Sequence, residues 1–123
     1  MNSPSVLNFD GVNDYVEIAN QSSFNYVNGD PITLEAWIRP TGITQNMREI
    51  IIAKGQDNGP RNYYFDVVGN SSGTGDLEFI YKDISNQFHF FRTTNGSILN
   101  NNWYHVALTY TYGIGSSAML YVN

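Results

Sequence analysis

With 123 residues, a net charge of −5 and no cysteine, the chain is sized for one domain and excludes disulfide staples and thiolate metal sites. Its six Lys and Arg are scattered singly between Arg39 and Arg92, without the clustered cations that phosphate neutralisation requires, so no nucleic-acid partner is expected. No apolar run approaches the length of a membrane span, and Met1 leads into neither a basic nor an apolar leader, so membrane insertion is not expected either.

Apolar residues alternate with polar or small ones at period two along most of the chain, the pattern of strands with one buried face. In chain order the alternation predicts strands over 6–9, 15–18, 32–38, 49–54, 63–68, 77–82, 87–93, 103–110 and 118–122. Turn-forming residues separate them, among them Asp10-Gly11, Asn28-Gly29-Asp30-Pro31, Asn58-Gly59-Pro60 and Asn95-Gly96. One helical turn is expected around Ser22–Tyr26, with Phe24 closing an end of the core. Short strands at this spacing, with no helical period between them, predict an all-β, antiparallel two-sheet β-sandwich. Nine Tyr, seven Phe and few charged residues suit it.

The alternation also assigns faces. Leu34, Ala36 and Ile38 are expected in the inter-sheet core, with Thr33, Glu35 and Trp37 turned away from it. Tyr104, Val106, Leu108 and Tyr110 point inward, opposite Trp103, His105, Ala107 and Thr109, and Leu120 and Val122 join the core. In 87–93, core packing accounts for Phe88 and Phe90. Phe91 then lies opposite with His89, covered by loops or exposed to a partner.

Glycoside hydrolysis with retention needs two carboxyls roughly 5–5.5 Å apart. Along a single strand only Asp76 and Glu78 have suitable spacing, and a solvated strand start accounts for them more simply, so no catalytic residue is assigned. Calcium takes several oxygen ligands. The turn from Asp10 to Asp14 offers Asp10, Asn13 and Asp14, with Asp30, or Asp57 and Asn58, as further donors; the alternative is that the aspartates shape a β-turn through their own backbone. A sugar is met by an aromatic platform flanked by planar polar side chains. Trp37, Glu35 and His105 share the face turned from the core, and Tyr63 stands near Asn58 beside a loop. The same tryptophan also serves simply to cover a sheet face, and His105 as a hydrogen-bonded sheet residue, so both readings stand. The glycosylation triplets at Asn20, Asn70 and Asn95 are expected by chance in a chain so rich in Asn and Ser.

The blocks Phe9-Asp-Gly-Val-Asn-Asp-Tyr-Val16, Leu34-Glu-Ala-Trp-Ile-Arg-Pro40, Ile52-Ala-Lys-Gly55, Trp103-Tyr-His-Val-Ala-Leu-Thr-Tyr110 and Leu120-Tyr-Val-Asn123 stand in an order that resembles the laminin-G-like, concanavalin A-like lectin/glucanase superfamily. The resemblance covers nearly all of residues 1–123. It implies a jelly roll that is incomplete at its C-terminal end, because further strands normally follow the last block and the final one returns beside the first. It implies that Trp37 and Trp103 mark the fold, and it brings an expectation of Ca2+ at one end of the sandwich. The glucanase branch carries an acidic strand, Glu-x-Asp-x-x-Glu, that has no match here. The implied function is a non-catalytic, extracellular or cell-surface recognition module, part of a larger multidomain protein, that binds a glycan or a cell-surface protein. The alternatives are an accessory domain of a secreted hydrolase and a structural or adhesive domain of a surface protein or phage tail fibre.

Overall fold

Between residues 31 and 122 the period-two runs fold as strands within two residues of where their alternation places them. The computed structural model describes residues 5–19, 21–55, 63–83 and 85–123. Its strands are β1 (Pro31–Ile38), β2 (Arg48–Lys54), β3 (Tyr63–Gly69), β4 (Gly75–Lys82), β5 (Phe88–Arg92), β6 (Tyr104–Thr111) and β7 (Met119–Val122). Every pairing is antiparallel: one sheet has the order β1-β6-β7 and the other β2-β3-β4-β5. Single 3-10 turns occur at Gln21–Phe24 and Gly115–Ser117. Among the described residues no helix is long and apolar enough to cross a membrane.

The core lies between the two sheets. Ile32 and Leu34 of β1 and Val106, Leu108 and Tyr110 of β6 meet Phe65, Val67, Leu77 and Phe79 of β3 and β4, so the inward faces read from alternation hold. Ala36, Ile38, Tyr104, Leu120 and Val122 pack at its margin. Aromatic rings tie the layers together: Tyr110 of β6 lies 5.4 Å from Phe79 and 5.0 Å from Tyr81 of β4, centroid to centroid. Such tilted ring pairs add to area burial. Three residues outside the strands, Ile43, Ile98 and Tyr112, complete the core.

The β3–β4 hairpin fixes the register of the larger sheet. Asn70 shapes its turn by accepting the Ser72 N–H (3.0 Å) and by donating to Thr74 Oγ1 (2.7 Å), and Gly73 takes the positive φ of 72° that the turn requires. Pairing then sets Asp66 opposite Glu78 and Phe65 opposite Phe79.

Three expectations are corrected. Residues 6–9 and 15–18 form no strand, and their apolar side chains are exposed. Alternation marks a segment able to bury one face, but a strand also needs a neighbour for its backbone groups, and these segments pair with none among the described residues. Phe88 and Phe90 are exposed while Phe91 packs on the core, the reverse of the expected arrangement. The reason is register: Phe91 pairs with buried Phe79, and directly paired residues share a sheet face. Phe24 does not close the core; it is exposed, with Lys54 Nζ 5.9 Å from its ring centre.

Candidate functional site

The outer face of the three-stranded sheet gathers the residues that sequence placed away from the core. Trp37 of β1 pairs directly with His105 of β6, their rings 5.3 Å apart and tilted. Glu35, one outward position along β1, brings Oε2 to 3.5 Å from His105 Nε2. Trp37 is 68% exposed, a large apolar cost on a surface unless something covers it. Beside them β7 turns Met119 and Tyr121 outward, with the Tyr121 hydroxyl 3.5 Å from Met119 Sδ. Pairing sets Tyr121 opposite Ala107, and Ala107 opposite Glu35, so a small residue sits between two larger ones. The result is an aromatic surface edged by a carboxylate, an imidazole and a phenol. The β7 contribution was readable from the same alternation that turned Leu120 and Val122 inward.

Of the remaining expected residues, those described do not join this group. Tyr63 is only 4% exposed and packs against Tyr26 (5.8 Å) and Phe79 (6.4 Å); burial, with Tyr26 alongside, pushes its phenol up to about 12. A ring so enclosed offers no platform, because Tyr63 lies on the face of β3 that packs into the core. Asn58, like Asp57, lies outside the described residues. Asp10 accepts the Val12 N–H (2.8 Å), Asp14 accepts the Asp10 N–H (2.9 Å), and Asp30 accepts the Val27 N–H (2.8 Å) in a separate turn. Asn13 is in the first of these turns. Calcium asks for six to eight oxygens. These carboxylates are engaged in shaping turns, and among the described residues no three His, Asp or Glu side chains gather into a metal cluster.

The outer face of the four-stranded sheet holds a group that sequence reading missed. One charged residue from each strand forms a ladder: Arg48, Asp66, Glu78 and Arg92. Arg48 Nε donates to Asp66 Oδ2 (2.8 Å), and Arg48 Nη2 reaches both that oxygen and Glu78 Oε1 (2.7 Å). Arg92 Nε donates to Glu78 Oε2 at 2.6 Å, with its Nη2 on the same oxygen. The carboxylates are 0% and 1% exposed, whereas the guanidiniums reach solvent. Burial is the largest influence on Asp66 and raises its pKa, outweighing the opposing pull of Arg48. The expectation that Glu78 lies in solvent at a strand start is therefore wrong. Its spacing partner Asp76 is occupied elsewhere, accepting the Gly96 N–H at 2.7 Å.

Over this ladder lies a groove of about 350 Å³. Ile50, Tyr64, Ile80, Phe88 and Phe90 form its apolar walls, and Arg48 and Asp66 supply its polar part.

Two facing antiparallel sheets with solvent-turned aromatic groups agree with a comparison to known families. The model of the concanavalin A-like lectin/glucanases superfamily matches residues 10–123. Neither a curated protein nor a solved structure matches the chain.

Proposed function

Since the chain belongs to the concanavalin A-like lectin/glucanase superfamily, we propose that it is a non-catalytic recognition module of the cell exterior that binds carbohydrate through the Trp37 platform. Membership by itself supports carbohydrate or protein binding in general. The observation that carries the finer reading is the meeting of Trp37, His105 and Glu35 on an open sheet face. A pyranose presents an apolar C–H face and a rim of hydroxyls. Trp37 offers a flat apolar surface to the first, and Glu35 and His105 offer an acceptor and a donor to the second. The Glu35–His105 contact is exposed and worth little to folding, at most about 1 kcal/mol, so its use lies in orienting the two groups.

A protein partner is the second reading. Met119 and Tyr121 widen the same surface, and Met, Tyr and Trp are the side chains most favoured in protein interfaces.

Trp103→Phe leaves Trp37 as the single tryptophan of the chain and its fluorescence as a local probe. Titration with neutral oligosaccharides is expected to shift its emission saturably, and Glu35→Gln to weaken the midpoint about tenfold, the effect of one lost charged hydrogen bond. Unchanged emission across the panel would rule the platform out as a sugar site.

A further inference from the structure

We propose that the groove above Asp66 is a second ligand site, on the sheet opposite the Trp37 platform, and that it takes a neutral pyranose with one hydroxyl on Asp66 Oδ1 and its ring against Phe88 and Phe90. Both oxygens of Glu78 are met by guanidinium groups, but at Asp66 all donation from Arg48 falls on Oδ2. Asp66 Oδ1 is buried and has no hydrogen-bond partner among the described residues. An unmatched buried acceptor costs free energy, and a ligand donor in the groove removes that cost.

The walls are also unfinished. Phe88 is 47% and Phe90 60% exposed, their rings 6.1 Å apart, beside a groove whose volume of about 350 Å³ lies at the small end of ligand pockets. That combination of a polar atom below and apolar rings beside matches a single sugar ring or a short saccharide.

Charge decides the class. Arg48 and Arg92 face Asp66 and Glu78, two cations with two anions, so the ladder offers no net charge to an ionic ligand. A cation over Phe88 meets Lys82 Nζ, already 4.8 Å from that ring centre. A hydroxyl suits Asp66 in either protonation state, since it both donates and accepts.

The test is an amide chemical-shift titration of the isotopically labelled protein with neutral methyl pyranosides of the gluco, galacto, manno and N-acetylglucosamine series. At least one is expected to move amides of residues 64–66 and 88–92 saturably, in the wild type and in Trp37→Ala alike. Phe90→Ala, at an exposed position that leaves the core intact, is expected to abolish the shifts. Removing one particular hydroxyl from the ligand is expected to weaken binding about tenfold. No shift in these segments with any pyranoside, equal shifts in Phe90→Ala, or equal affinity for every deoxy analogue would each overturn the proposal.

Discussion

Arg48 spans two strands with one side chain, holding Asp66 and Glu78 together on the outer sheet face. Arg48→Ala removes the donor that both buried carboxylates share, and the expected loss in urea unfolding is about 3 kcal/mol, the low end for breaking a buried pair because Arg92 still serves Glu78. Replacing all four ladder residues by apolar ones of similar volume is expected to cost less than the single change, since no charge is then stranded. A quadruple variant less stable than Arg48→Ala would show that the ladder is held for stability and not for what it presents to the groove. At this scale the sequence was legible in part. The period-two rule put Trp37, Glu35 and His105 on one face because a strand's own residues determine it. Asp66 and Glu78 are not visible to spacing along one strand, because they pair across two. The signal was present: they stand equally far from Ser72 at the hairpin turn, and Glu78 and Arg92 equally far from Ser85.

The β3–β4 hairpin is the element on which the larger sheet depends, and it is held where Gly69 passes the 40–47 loop. A Cβ at Gly69 would fall 1.9 Å from the Thr44 carbonyl oxygen, while one at Gly42 meets nothing closer than 3.7 Å. Gly69→Ala is therefore expected to lower stability by about 2–3 kcal/mol, as the backbones separate, and Gly42→Ala to leave it nearly unchanged. Thermal melts of both check this; equal melting temperatures would mean that the close approach is not held in solution. Strand positions were legible because each strand from β1 to β7 carries its own alternation. The segments 6–9 and 15–18 carry it too, yet pair with nothing among the described residues, since alternation does not supply a neighbour. Nor was the loop contribution legible: Ile43 reaches the core because Asn100 clamps it at both ends, accepting its N–H (2.8 Å) and donating to its carbonyl (3.2 Å), a contact 57 residues apart in sequence. Phe91 was misplaced for a related reason, since its face follows from pairing with β4 and not from β5 alone.

Over the whole molecule, two aspartates set opposing pH responses. Asp83 is held below the ordinary 3.8 chiefly by its hydrogen bond with His89, so the stability it lends is present above that value and is lost as pH falls through its lowered pKa. Asp66 is raised by burial, so the folded chain keeps a proton that the unfolded chain has released, and stability falls as pH rises through that window. Denaturant unfolding at stepped acid pH is expected to show Asp83→Asn losing part of the decline below 3.8 while keeping the fall above it; a wild-type curve from this variant would contradict the assignment. These titrations bear on folding, whereas the solvent-facing aromatic surface bears on what the protein binds. The most direct measurement is binding of the protein to an array of neutral glycans, with Trp37→Ala beside it as a variant of unchanged fold. Retention of a defined set of saccharide structures by the wild type is predicted, with Trp37→Ala weakened by about 2 kcal/mol, roughly thirtyfold, as for the loss of a central aromatic contact. Binding to no glycan, or equal binding by both proteins, would contradict it.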